Sequence, residues 1–176
     1  MTQTLSLLLL LLALSTPRCA DAQLAEWDDR GAVADTVLIA EDGHPVRLGD
    51  WRGKVVLIDF WGKWCSSCMQ EMDSLKRLQQ SLADRGDAVA FLFVSVDRAH
   101  FAADTAWFKT SGLAGANYRW DKRTSEQYHA FFRTSNAKWW VPDTVILDPD
   151  GNIAKWVLGG GTDWTHYGDF LRGLIP

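Results

Sequence analysis

The chain lacks an excess of basic residues: 18 Lys and Arg stand against 22 Asp and Glu, a formal net charge of −4. Nucleic-acid-binding proteins normally carry a basic surface, so this balance argues against a nucleic-acid partner. Internal repeats, low-complexity tracts and long linkers are also missing. A composition of 47% hydrophobic and 23% charged residues is that of an ordinary globular protein. We therefore expect protein or peptide partners.

Cysteine is scarce, with three residues at positions 19, 65 and 68. About 150 residues remain after the first 22, enough for one core without structural disulfides. The cysteines are therefore not needed to explain stability. Histidine is also scarce, and none of the four histidines forms a pair with the spacing of a metal site. We expect neither a metal nor another cofactor.

No apolar run is long enough to span a bilayer as a helix. Leu5–Leu14 contains only Leu, Ser and Ala, which matches the apolar core of a signal peptide, although residues 1–4 lack the usual preceding basic residue. The small residues Ala20-Asp21-Ala22 offer a cleavage point. We predict a signal peptide at residues 1–22, a mature domain at residues 23–176, and export, with a bacterial periplasm as the expected compartment.

Cys19 leaves an alternative open, because a lipid-modified cysteine would anchor the protein to a membrane. Pro17 and Arg18 precede it, where such sites need small uncharged residues, so cleavage after residue 22 and a soluble product are preferred. Cys65 and Cys68 then remain as the mature protein's cysteines. In an oxidising compartment, two cysteines at this spacing are natural partners.

Apolar periodicity and turn residues predict an α/β domain. Residues 36–48 predict a hairpin, and residues 55–60 and 88–96 predict two buried strands. Between these strands, apolar residues at intervals of three and four predict an amphipathic helix that begins after Cys65 and ends at Gly86. This order predicts a βαβ unit with parallel strands, and the cysteines at the carboxyl end of the first strand.

The second half of the chain predicts further short elements. A strong Asp-Pro-Asp-Gly-Asn turn at residues 148–152 joins two of them into a hairpin. The elements are a helix at residues 101–110, a strand at 118–120, a helix at 124–132, an antiparallel hairpin of strands at 144–147 and 153–158, and a last helix at 165–174.

A Cys-x-x-Cys pair at the start of a helix is suited to redox chemistry. Cys65, near the helix cap, meets unsatisfied backbone N–H groups that stabilise a thiolate, which makes it the nucleophile. Cys68 lies one turn later, within disulfide reach, and can resolve a mixed disulfide. A structural disulfide, an inert pair and half of a zinc site are the alternatives. The preceding strand and following helix favour redox catalysis.

The segment VVLIDFWGKWCSSCMQEM at residues 55–72 resembles the active-site stretch of thioredoxins, and specifically of exported TlpA/ResA/DsbE-type proteins. The segment VPDTVILDPDGNI at residues 141–153 resembles a second signature of that family. The resemblance implies a thioredoxin fold with an N-terminal β-hairpin and a central helical insertion. It also implies a thiol–disulfide oxidoreductase that takes electrons from a membrane thiol transporter and reduces protein disulfides, such as those of apocytochrome c.

The same resemblance implies roles for five further residues. Pro142 would be the family's cis-proline beside the disulfide, and Val141 and Trp64 would contact the substrate. Asp59 matches the thioredoxin buried acid, and Glu71 matches the glutamate of a C-x-x-C-x-x-E pattern. A buried acid has a raised pKa and can exchange protons with the second cysteine. A strand-end acid satisfied by a backbone donor and a solvated helix-face charge are the respective alternatives.

The sequence departs from the family pattern at three places. Ser66-Ser67 replaces the common Gly-Pro or Glu-Pro between the cysteines, Asp73 replaces a proline that kinks the helix, and Asp143 replaces the threonine after the cis-proline. A straighter helix and a negative charge near the site are the expected consequences.

Two other functions occur on the same fold. A thiol peroxidase needs Pro and Thr before its cysteine, and Phe60–Trp64 supplies neither. A Sco-like copper carrier uses cysteines three residues apart plus a histidine, whereas here the spacing is two, and His129 and His166 have no matching motif.

Overall fold

The computed structural model describes residues 33–120 and 141–176. In these stretches the strands are β1 Val37–Ile39, β2 Pro45–Arg47, β3 Val55–Trp61, β4 Val89–Ser95, β5 Ala116–Trp120, β6 Asp143–Leu147 and β7 Ile153–Leu158. The helices are α1 Ser66–Ser81, α2 Phe101–Ser111 and α3 Gly168–Leu174, with 3₁₀ turns at Leu48–Trp51, Ala83–Ala88 and Trp164–Tyr167. The strands form one sheet in the order β2-β1-β5-β4-β3-β6-β7.

The sheet is mixed, with a parallel centre and antiparallel edges. β3 and β4 pair in parallel, as do β4 and β5. On one side β6 and β7 are antiparallel, and on the other β1 is antiparallel to both β2 and β5. The predicted α/β class, the N-terminal hairpin and the parallel β3-α1-β4 unit are confirmed.

All seven residues of β3 are buried, because both faces of this central strand are covered. Side chains alternate across a strand, so Leu57 and Trp61 pack with α1 while Ile58 and Phe60 pack in a second cluster on the other face. Asp59 therefore shares the α1 face with Leu57. A carboxyl group is thereby placed in an apolar layer beneath the helix that carries the cysteines.

The bounds of α1 differ from the sequence prediction at the carboxyl end. The helix runs without a break past Asp73, as expected, but it ends at Ser81 and not at Gly86. The Leu82 N–H bonds to the carbonyls of both Leu78 and Gln79, which tightens the last turn toward 3₁₀ geometry. Gly86, with a φ of 52°, lies within the following 3₁₀ turn.

The later elements follow the prediction with one correction. The helix and strand predicted at residues 101–110 and 118–120 are confirmed as α2 and β5. The last helix begins as a 3₁₀ turn at Trp164–Tyr167 and is α-helical only from Gly168. The helix predicted at 124–132, part of the expected insertion, lies outside the described residues. Within residues 33–120 and 141–176, no helix is long and apolar enough to cross a membrane.

Candidate active site

The cysteine pair lies where the chain leaves β3 and enters α1. A tight turn follows the strand, closed by the Cys65 N–H, which donates to the Gly62 carbonyl at 2.9 Å. Cys65 is the N-cap residue of α1, and a disulfide joins it to Cys68 with the two Cα atoms 5.3 Å apart. Cys65 keeps 6% of its surface exposed and Cys68 none. Cys65 is therefore the more exposed of the two cysteines.

Hydrogen-bond donors surround the Cys65 sulfur. The backbone N–H of Cys68 points at Cys65 Sγ from 3.1 Å, and the Ser67 hydroxyl lies 3.3 Å away. Both groups belong to the first turn of α1, where unsatisfied N–H groups form the positive end of the helix dipole. A negative charge that develops on Cys65 Sγ is stabilised there, as expected for a nucleophilic thiolate.

The three residues predicted to contact substrate lie around this sulfur. The Val141–Pro142 peptide bond is cis, as predicted, and the Val141 carbonyl oxygen lies 3.3 Å from Cys65 Sγ. Trp64 is 57% exposed. A Cβ atom on Gly62 would come within 2.6 Å of Trp64 Nε1, so the indole ring lies over the turn that precedes Cys65.

A glycine loop after β7 completes the rim of the site and was not predicted. The Gly159 N–H donates to the Pro142 carbonyl at 3.1 Å. A Cβ atom on Gly160 would lie 2.3 Å from Ser67 Cβ and 3.1 Å from Pro142 Cδ. Only a residue without a side chain permits this approach to α1. Three consecutive glycines at 159–161 were the available signal in the sequence.

Asp59 is fully buried beneath α1. The Thr144 hydroxyl, from the adjacent strand β6, donates to Asp59 Oδ1 at 3.0 Å. Burial raises the pKa of Asp59 to about 7, the Thr144 hydrogen bond opposes this rise, and the charge of Asp143 adds to it. The partner of this acid is a side chain, not the backbone donor of the alternative interpretation.

Glu71 is also buried, with 2% of its surface exposed, so it is not a solvated helix-face charge. Burial raises its pKa to about 9, the nearby charge of Asp59 raises it further, and the Trp164 indole and Thr162 backbone partly oppose the rise. Within the described stretches, neither carboxyl oxygen of Glu71 makes a well-aligned hydrogen bond. Glu71 and Asp59 therefore form an interacting pair of buried acids behind the disulfide.

Asp143, predicted to bring a negative charge near the site, is buried one residue after Pro142. Its carboxyl group accepts a hydrogen bond from the indole N–H of Trp156 on β7. In the sheet it lies opposite Phe60, and its charge reaches Asp59 from the neighbouring strand.

The amino-acid sequence is similar to those of known proteins. The sequence matches the Redoxin family over residues 28–164. It is 37% identical to the thiol-disulfide oxidoreductase ResA of Geobacillus thermodenitrificans over 163 residues, which cover 89% of this chain and 86% of that protein. With the thioredoxin-like protein YneN of Bacillus subtilis it is 41% identical over 56 residues, which span 32% of this chain and 33% of that protein.

The fold also matches solved structures. A thiol:disulfide interchange protein of the thioredoxin family from Chlorobium tepidum superimposes with a TM-score of 0.65 at 16% sequence identity. The match covers 81% of this chain and 95% of that one. At this identity the likeness shows the fold alone, which is the predicted thioredoxin fold.

Proposed function

Because the chain belongs to the Redoxin family and, with ResA, to the TlpA/ResA/DsbE-type thiol–disulfide oxidoreductases, we propose that it reduces protein disulfides outside the cytoplasm. One observation carries the proposal. The Cys65 sulfur has a helix N-terminal N–H at 3.1 Å on one side and the Val141 carbonyl at 3.3 Å on the other. The first contact favours a thiolate, and the second belongs to a backbone edge beside the reacting atom.

In the reducing direction, the Cys65 thiolate attacks one sulfur of a substrate disulfide. A mixed disulfide forms, and the other substrate cysteine leaves as a thiolate. Cys68 then attacks the Cys65 sulfur, closes the Cys65–Cys68 disulfide and releases the second substrate thiolate. Two electrons pass to the substrate, which ends with two thiols once two protons have followed.

Substrate binding is proposed at the rim around Cys65. An extended segment of the substrate hydrogen-bonds to the backbone of Val141 beside Pro142, in the manner of an added β-strand. The exposed indole of Trp64 covers apolar side chains next to the substrate cysteine. An extended segment fits this rim better than a folded surface, because Cys65 itself is only 6% exposed.

The buried acids are proposed to handle the proton of Cys68. This thiol must lose its proton before it attacks, and it is wholly buried, so bulk water does not reach it directly. Asp59, with a pKa of about 7, and Glu71, with a pKa of about 9, lie on the same side of the sheet as Cys68. A carboxyl group with a pKa near the working pH both accepts and returns a proton efficiently.

The location and partners of the protein are proposed from its sequence and its family. The apolar stretch near the N-terminus supports export of the domain from residue 23 onward. The resemblance to ResA-type proteins supports a membrane thiol transporter as the electron donor and apocytochrome c disulfides as substrates.

The reduction potential of the Cys65–Cys68 couple tests the direction of the reaction. Equilibration with glutathione buffers, alongside a turbidity assay of insulin reduction, measures potential and activity together. We expect a potential below that of glutathione and rapid insulin reduction. A potential near those of strong oxidants such as DsbA would reverse the proposed direction. Tight copper binding without insulin reduction would instead favour a copper carrier.

The pH dependence of exchange tests the acids. Asp59→Asn and Glu71→Gln are compared with the parent protein. The variant that removes the true proton relay should exchange more slowly by a factor on the order of 10² or more, the size typical of general acid–base catalysis. If both variants keep the parent's rate and apparent pKa values, neither acid handles the proton.

A further inference from the structure

Besides Asp59, Glu71 and Asp143, a fourth buried acid lies beside the active-site turn. Asp104 is in the first turn of α2 and has no exposed surface. Its two carboxyl oxygens have different partners. The backbone N–H of Lys63 donates to Oδ1 at 3.1 Å, and the hydroxyl of Ser95 donates to Oδ2.

Both partners lie at the ends of strands that support the cysteines. Ser95 is the last residue of β4 and pairs with Trp61, the last residue of β3. Lys63 lies two residues after Trp61 and two before Cys65. Asp104 therefore ties α2 to the turn that carries the chain from β3 to the reactive cysteine.

The turn is also closed within itself. Its own hydrogen bond joins the Cys65 N–H to the Gly62 carbonyl. Residue 62 is a glycine, the residue type with the most flexible backbone. The exposed Trp64 ring takes its position from this backbone, since it lies directly against Gly62. Without Asp104 the Lys63 N–H would lose this hydrogen-bond partner. Lys63 is an exposed residue, but its hydrogen bond to Asp104 is partly buried. An N–H shielded from water is costly to leave unpaired, so the turn would rearrange to reach water.

We propose that Asp104 is a positioning residue that holds the Gly62–Cys65 turn, and with it the Trp64 ring, in the geometry that receives a protein substrate. The proposal rests on the proposed function, because it assigns substrate contact to Trp64. Asp104 touches neither the substrate nor the sulfur atoms. It acts through the Lys63 peptide, so its loss affects the binding of large substrates more than the chemistry at Cys65.

The test compares steady-state kinetics for insulin and for glutathione disulfide in the parent, Asp104→Ala and Asp104→Asn. Asp104→Ala should raise KM for insulin on the order of 10-fold, the factor that corresponds to one lost hydrogen bond. The kcat for insulin and the rate with glutathione disulfide should change much less. Asp104→Asn keeps an oxygen acceptor for the Lys63 N–H and should restore most of the parent's KM.

Phe108→Leu is the matched control for a general weakening of α2. Phe108 is buried on the same helix and packs against Phe93, with ring centroids 4.8 Å apart. Within residues 33–120 and 141–176 it makes no hydrogen bond to the active-site turn. It should lower stability without raising KM for insulin. An equal rise in KM in Phe108→Leu, an unchanged KM in Asp104→Ala, or failure of Asp104→Asn to restore KM would overturn the proposal.

Amide hydrogen exchange of Lys63 in the parent protein provides a second measurement that does not depend on whether Asp104→Ala folds. The Lys63 N–H should exchange clearly more slowly than amides of exposed loops that have no hydrogen-bond partner, and equally rapid exchange would contradict the proposed bond. The outcomes also separate the two proposals. A parent protein that fails to reduce insulin refutes the proposed function. An active parent together with Asp104 variants whose KM for insulin is unchanged refutes this inference alone.

Discussion

Replacing Glu71 with glutamine should stabilise the oxidised protein at alkaline pH and leave its stability in acid nearly unchanged. Glu71 is buried, and its pKa in the folded protein is about 9 compared with an ordinary value of 4.5. Below pH 4.5 the carboxyl group is protonated in both the folded and the unfolded chain. As pH rises above this value, the unfolded chain releases the proton freely while the folded protein retains it.

The size of the effect follows from this difference in protonation. For each unit by which the pH rises between the two pKa values, the free energy of unfolding falls by about 1.4 kcal/mol, because the folded protein retains one proton that the unfolded chain releases. Between pH 6 and pH 8 the Glu71 carboxyl group therefore accounts for a loss of about 3 kcal/mol, which Glu71→Gln removes. Asp59, whose pKa is raised from 3.8 to about 7, produces a similar loss up to about neutral pH and continues to do so in the variant.

Urea unfolding of the oxidised protein, followed by tryptophan fluorescence at pH 5, 6, 7 and 8, measures the effect without titration of the cysteines. The curve of stability against pH should be flatter for Glu71→Gln than for the parent, most clearly above pH 7. Asp73→Asn is the control, because Asp73 is exposed on the same helix and should leave the slope unchanged. Parallel curves for the parent and Glu71→Gln would refute a buried, protonated Glu71.

Three further predictions concern the cysteine pair and its rim. Cys65→Ser should abolish turnover, whereas Cys68→Ser should accumulate mixed disulfides visible on non-reducing gels; trapping that needs Cys68 but not Cys65 would reverse these roles. Trp64→Ala should lower kcat/KM for protein substrates and change the free energy of unfolding by no more than about 0.5 kcal/mol, because the side chain is largely exposed. Gly160→Ala should cost about 1–3 kcal/mol in thermal or urea unfolding, since its Cβ would lie 2.3 Å from a side-chain carbon in the first turn of α1. Gly173→Ala, with open space around it, should be tolerated, and equal losses in both variants would contradict a specific clash at residue 160.

Local patterns in the sequence were sufficient for most secondary structure. The β1-β2 and β6-β7 hairpins turn at Gly-containing segments, and β3 is a continuous apolar run of the length expected for a central strand. Helix ends were less predictable. The apolar spacing continued past Ser81, and Gly86 is a conventional stop signal, yet the α-helix had already tightened into a 3₁₀ turn. Such endings depend on hydrogen bonds in the last turn that residue types do not specify.

The reactive pair could likewise be identified from the sequence, because Cys65 and Cys68 occupy one helical turn after a strand, and all the geometry they need is local. Their surroundings were decided by tertiary structure. Glu71 is buried because residues 162–164 pack over its face of α1, and Gly160 meets α1 from more than 90 residues away in the chain. Asp104 reaches the Lys63 N–H only because α2 packs beside the end of β4. The sequence alone determined where the cysteine pair lies, at the end of a strand and the start of a helix, since that depends on neighbours along the chain. The buried acids and the backbone groups around the pair depend on contacts between distant segments that only the folded chain brings together.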